Sequence, residues 1–206
     1  MTPLVSPNAP PLVLASQSRF RREMMEKAGL VFATDAAHID EEEIKLAMRA
    51  EGATAADVAI KLAESKARRI AMRYPGAIVI GSDQMLDCNG IWFDKPADRA
   101  HAAAHLQALS GKTHRLETAA VAFRNGMRVW HHVEAARLTM RILDAAFIAS
   151  YLDAAGPDAC ASVGGYQLEG LGAQLFERVD GDFFTILGLP LLPLLGFLRA
   201  NGVVPA

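Results

Sequence analysis

Cysteine is scarce in this sequence, long apolar runs are missing, and neither sign of charge dominates. Each shortage excludes something. The two cysteines, Cys88 and Cys160, lie far apart and show no metal-ligand spacing. They fit two reduced thiols of a cytosolic protein, with a single bridge as the alternative. No stretch reaches the roughly 18 apolar residues needed to span a bilayer. The formal net charge is only -2. That balance leaves no basic footprint for nucleic acid and no polybasic anchor for a membrane. Residues 1–11 are proline-rich and lack the cationic start and apolar run of a secretory signal, so they read as a flexible N-terminal segment. A cytoplasmic protein that binds neither membrane nor nucleic acid is expected.

Familiar catalytic patterns are absent too. The six histidines show no H-E-x-x-H or other zinc spacing. There is no G-x-S-x-G elbow, no Walker pattern G-x-x-x-x-G-K-[ST], and no G-x-G-x-x-G after a strand-like run.

What remains is a globular composition. The chain has 206 residues, 51% of them apolar, which is enough to bury a sizeable core as a single domain. Leu12 to Ala15 is a short apolar run that suits a buried strand, and Arg19 to Ala28 reads as a helix closed by Gly29. A second strand is expected within residues 31–39, before the acidic run Asp40 to Glu43. Thr54 and Asp57 resemble a capping box, opening a helix to about Met72. Ala77 to Ile80 is the clearest buried strand and is expected to end at Gly81-Ser82-Asp83.

Asn89-Gly90 and Asn125-Gly126 predict hairpins with type I′ turns. Helices are expected over Asp98 to Ser110, Asp144 to Ala155 and Leu189 to Leu198, the last tolerating Pro190 in its first turn. Alternating strands and helices followed by hairpins argue for an α/β fold around a mixed sheet.

Several polar residues stand where chemistry is done. Ser16, Ser18, Arg21 and Arg22 lie where the first strand opens into a helix. Helix-start N–H groups and forked arginines suit a phosphate there, although an ordinary cap with solvated arginines would look the same. Asp83, at the end of a buried strand, is placed either for a metal or water or as a turn aspartate. Lys66 shares an apolar stripe with Val58 and Leu62. It either snorkels to water or points at anions. Lys95, before Pro96, reads first as a surface lysine. One of the acidic residues 40–43 could join Asp83 at a hard divalent cation, while a solvated run is the default.

In order along the chain, these segments resemble the Maf family of nucleotide pyrophosphatases. They are Leu14-Ala15-Ser16-Gln17-Ser18 with Arg21 and Arg22, Glu64-Ser65-Lys66-Ala67, and Ile80-Gly81-Ser82-Asp83-Gln84. Asp94-Lys95-Pro96 and Leu109 to His114 follow, then Gly164-Gly165-Tyr166 to Glu169-Gly170, and Gly181-Asp182 to Leu187-Gly188-Leu189-Pro190.

The resemblance implies an α/β fold with a mixed twisted sheet, flanking helices and two lobes around a nucleotide cleft. It also implies hydrolysis of a nucleoside triphosphate to the monophosphate and pyrophosphate, with Mg²⁺ or Mn²⁺ as cofactor. Asp83 would be catalytic. Ser16, Ser18, Arg21, Arg22, Lys66, Gln84, Lys95 and Glu169 would bind substrate, and Asp83 and Glu41 would hold the metal. A homodimer is implied as well.

Arg19 stands where the family usually has proline. Phe20, Ser82-Asp83-Gln84 and Glu169 are more similar to the 7-methyl-GTP branch than to the dTTP/UTP branch. The alternatives are a dTTP/UTP pyrophosphatase of the same family, or a non-catalytic nucleotide-binding regulator of cell division.

Overall fold

Side-chain caps mark where the helices begin. The structure, a computed structural model, describes residues 3–205; residues 1 and 2 of the N-terminal segment lie outside the described residues. Ser18 accepts a hydrogen bond from the Arg21 N–H and opens α1, Arg19–Lys27. Asp40, Thr54, Asp98 and Asp144 do the same for α2 (Glu41–Ala50), α3 (Ala55–Ala71), α4 (Arg99–Leu109) and α5 (Ala145–Ala155). Each cap satisfies an N–H that the first helical turn leaves without an intrahelical partner. At Thr54 the capping box is complete, because Asp57 accepts from the Thr54 N–H in return. Asp182 caps the short α6, Phe183–Ile186, and Pro190 leads into α7, Leu191–Ala200.

Seven strands form one mixed sheet. They are β1 (Leu12–Leu14), β2 (Ala33–Thr34), β3 (Ile78–Cys88), β4 (Ile91–Phe93), β5 (Thr113–Arg124), β6 (Met127–Met140) and β7 (Phe176–Asp180). The order is β2-β1-β3-β5-β6-β7, with β4 paired to β3. β1 runs parallel to β2 and β3, with Val13 opposite Ala33 and Val79. The β3–β4 and β6–β7 pairs are antiparallel. Both Asn-Gly pairs adopt positive φ at both central residues, 55° and 82° at Asn89-Gly90, 51° and 79° at Asn125-Gly126. That is the conformation a type I′ hairpin requires.

Two expectations are corrected and one helix is added. The strand sought in residues 31–39 is only the two residues of β2. The acidic run is solvated at Asp40, Glu42 and Glu43, and it opens a helix that the sequence reading did not include: Asp40 caps α2, and Glu41, Glu42 and Glu43 fill its first turn, where the helix dipole favours negative charge. β3 does not stop at Gly81 but runs on to Cys88, so Asp83 lies inside a strand and not on a turn.

The chain divides into two compact units. The first comprises residues up to Gln84, Thr118–Glu134 and from Gly188 onward; the second comprises Met85–Glu117 and Ala135–Leu187. In the first, Leu14, Met25, Leu62, Ile70, Ile78 and Ile80 are fully buried. Its N-terminal segment is tied by backbone bonds from Leu4 N–H to the Gly29 carbonyl and from Ser6 N–H to the Val203 carbonyl. The second unit has its own apolar cluster, including Leu86, Leu106, Leu116, Leu138 and Leu152. Among the described residues, no helix is long and apolar enough to cross a membrane.

Candidate functional site

A missing side chain sets the centre of the first unit. Strand periodicity sends Gly81 and Asp83 to one face of β3 and Ser82 to the other. A Cβ on Gly81 would lie 2.1 Å from the Ala63 carbonyl oxygen and 2.8 Å from the Ala67 nitrogen. Only glycine lets α3 approach this closely. The approach brings Lys66, on the same helix, to Asp83: Nζ lies 2.5 Å from Oδ1. Both residues are buried, at 8% and 6% exposure. Lys66 therefore does not snorkel, because its charge is matched inside.

A second carboxylate reaches the same ammonium. Glu41 Oε1 lies 2.8 Å from Lys66 Nζ, although the Glu41 side chain is still 42% exposed. Burial pushes the Glu41 carboxyl up, but the charge and hydrogen bond of Lys66, helped by Lys45 and Arg21, hold it below the usual range.

Arg21 belongs to the same charge cluster. Burial draws its guanidinium down, while the nearby Asp83 and Glu41 carboxylates pull it up. Its Nε donates to the Gly188 carbonyl at 2.7 Å, and Nη1 donates to Ser16 Oγ at 3.3 Å. Ser16 Oγ also accepts from the Ser18 N–H at 3.2 Å. The Ser18 hydroxyl, the α1 cap, accepts from the Arg21 N–H at 3.4 Å and so sits at the same helix start. Gln84, next along β3, donates to Thr118 Oγ1 at 2.8 Å.

Ser16, Ser18, Arg21, Glu41, Lys66 and Asp83 thus form one connected set. Among the described residues the Arg22 side chain makes no hydrogen bond or ion pair with this set; its Nε lies 3.8 Å from Glu26 Oε1 on the surface of α1. Lys95 and Glu169 belong to the second unit, both exposed, the first on the loop after β4 and the second in a turn before β7. Sequence reasoning missed Ser82 and Gly188 as parts of the site. Ser82 Oγ is 3.0 Å from the Gly188 carbonyl oxygen that Arg21 also uses. The available signal was a small hydroxyl between Gly81 and Asp83, directly after the apolar run Ala77 to Ile80.

The donor set fits a hard cation that arrives with its ligand. Asp83 and Glu41 each aim an oxygen at one positive centre. Among the described residues, however, no group of three or more His, Cys, Asp or Glu could hold an ion alone. Mg²⁺ and Mn²⁺ are commonly bound by one or two carboxylates completed by phosphate oxygens. Carboxylates, an ammonium and a guanidinium so arranged can hold a polyphosphate and handle a proton beside it.

Comparison with known proteins points the same way. The family model described as Maf-like protein matches residues 11–201. A protein of Paramagnetospirillum magneticum named nucleoside triphosphate pyrophosphatase is 60% identical over 190 residues, covering 92% of this chain and 98% of that protein. One of Rhizobium etli named 7-methyl-GTP pyrophosphatase is 52% identical over 195 residues, covering 95% of this chain and 98% of that protein. A Rhizobium meliloti protein of the same name is 50% identical over 197 residues, covering 96% and 99%.

Proposed function

The chain belongs to the Maf-like protein family, and from that premise we propose that it is a nucleoside triphosphate pyrophosphatase acting on 7-methyl-GTP through Asp83. The observation that carries this reading is the convergence of Asp83 and Glu41 on Lys66, with Arg21 in the field of both carboxylates. The reaction class follows the names of relatives at 50 to 60% identity. The base preference rests on Ser82-Asp83-Gln84, Phe20 and Glu169 in this sequence and on the relatives named for 7-methyl-GTP.

In this mechanism, water attacks the α-phosphorus in line with the bond to the bridging oxygen of the β-phosphate. That bond breaks, and pyrophosphate leaves with its electron pair. Asp83 orients the water and takes its proton. Ser16, Ser18 and Arg21 bind the triphosphate, joined by Lys66 once Glu41 and Asp83 share its charge with substrate. Within the first unit, Arg22 and Gln84 complete the proposed substrate contacts. Asp83 and Glu41 would hold Mg²⁺ or Mn²⁺, which supplies Lewis-acid polarisation of the phosphate oxygens. The two free cysteines suit action in a reducing cytoplasm.

The test is pyrophosphate release from 7-methyl-GTP, dTTP, UTP, CTP, ATP and GTP, with Mg²⁺, with Mn²⁺ and with chelator. Metal-dependent release, fastest from 7-methyl-GTP, is expected. Preference for dTTP or UTP would move the chain to the other branch. No release from any nucleotide would leave a binding or regulatory role.

A further inference from the structure

We infer that Ser82 is a positioning residue for Arg21, acting through the Gly188 carbonyl. The inference deepens the proposed function, since it rests on Arg21 as a phosphate ligand. Ser82 is fully buried and lies on the face of β3 opposite Asp83, so it has no part in the Lys66 contact. Its Oγ lies 2.8 Å from the Ala119 carbonyl oxygen and 3.0 Å from that of Gly188. A hydroxyl has one proton to donate, so the two carbonyls share it. The shared proton ties the Gly188 segment to β5 at the point where Arg21 Nε takes hold at 2.7 Å.

The backbone at Gly188 is shaped for this task. Its φ of +100° lies in the region that favours glycine, and a Cβ there would stand 3.5 Å from both Nε and Nη2 of Arg21. With Nε on Gly188 and Nη1 on Ser16, the plane of the guanidinium is fixed from two sides. Nη2 makes no hydrogen bond among the described residues and is left to meet an anion. A planar fork recognises phosphate only when its orientation is held, and a small misplacement is costly. Ser82 holds the carbonyl, and the carbonyl holds the fork.

The test combines S82A and S82C with a cycle against R21A, in the full chain. S82A should raise KM for the best nucleotide by about 3- to 10-fold, the ratio equivalent to one net hydrogen bond, with kcat nearly unchanged. S82C, which keeps a weaker donor, should fall between S82A and wild type, and it replaces S82A if that variant does not fold. In an R21A background, S82A should change KM by less than about 1.5-fold, the signature of two residues acting as one unit. Equal losses in both backgrounds would mean a purely structural serine and overturn the inference. Exchange of the Arg21 Nε–H with water, followed by ¹⁵N NMR without nucleotide, should quicken in S82A or S82C. Unchanged exchange also overturns the inference, even if the wild type hydrolyses no nucleotide, an outcome that would sink the activity reading by itself.

Discussion

Lys66 and Asp83 form a buried ion pair, Nζ to Oδ1 at 2.5 Å, at a point where β3 and α3 touch through a glycine. Two charges taken out of water need each other, and Glu41 lends the lysine a second partner at 2.8 Å. The electrostatics of the site and the packing of the fold are therefore joined at one place.

D83N is expected to lower kcat by a factor on the order of 10²–10⁴, the usual worth of a positioned general base. Nucleotide affinity, measured by calorimetry, should change only a few-fold. The amide is nearly isosteric and Lys66 keeps Glu41, so the variant should fold. Near-normal turnover in D83N would remove Asp83 from the chemistry.

K66M strands a buried carboxylate. Leaving one member of such a pair alone typically costs about 3–5 kcal/mol, readable as a lower urea midpoint with an unchanged slope. Adding D83N should restore part of the loss, because it removes the charge that was stranded. A K66M protein as stable as wild type would show that the pair contributes nothing.

His114 should make the second unit acid-sensitive. Its ring is buried, Nε2 lies 2.6 Å from the Tyr166 hydroxyl, and Nδ1 has no hydrogen-bond partner. Burial pushes its pKa down from 6.5 to about 4. The unfolded chain takes up this proton below pH 6.5 and the folded chain does not, so stability is kept above 6.5 and lost as pH falls toward 4. The span corresponds to roughly 3 kcal/mol. Urea unfolding of wild type and H114Q at pH 7.5, 6 and 5 checks this: the H114Q curve should be flatter, and parallel curves would refute it.

G81A should be among the most damaging single-methyl additions possible here. The new Cβ would meet backbone at 2.1 Å, which no side-chain rotation relieves. A loss of about 3 kcal/mol or more is expected, at the upper end for overpacking, together with lost turnover as α3 and Lys66 are pushed from Asp83. Thermal melts and a crystal structure of the variant would show either that shift or an unexpectedly tolerant helix.

Much of this was legible in the sequence. Thr54 with Asp57 announced its helix because capping is local chemistry. The Asn-Gly turns announced their hairpins for the same reason. The end of β3 was misread because glycine usually punctuates; at Gly81 its lack of a side chain serves helix contact instead, which depends on a residue 18 positions earlier, Ala63. α2 was missed because four acidic residues in a row look like nothing more than a solvated charge run unless the first is seen to cap. Ser82 could not be singled out, since its partners Ala119 and Gly188 are distant in sequence and are backbone atoms. Lys66 was noticed, but only the fold decides between a snorkelling lysine and a paired one.

The two carboxylates at Lys66 do not rest on equally firm ground. Asp83 projects from a central strand and Lys66 from a helix with nine buried residues, whereas no side chain of α2 is fully buried. Helices with few buried contacts open locally at free energies well below that of global unfolding. Backbone amides of α2 should therefore trade hydrogen for deuterium long before those of α3 and β3. Of the two acids at Lys66, one is built into the core strand and the other is held out from a surface helix, so opening of α2 would remove Glu41 and leave the Lys66–Asp83 pair in place.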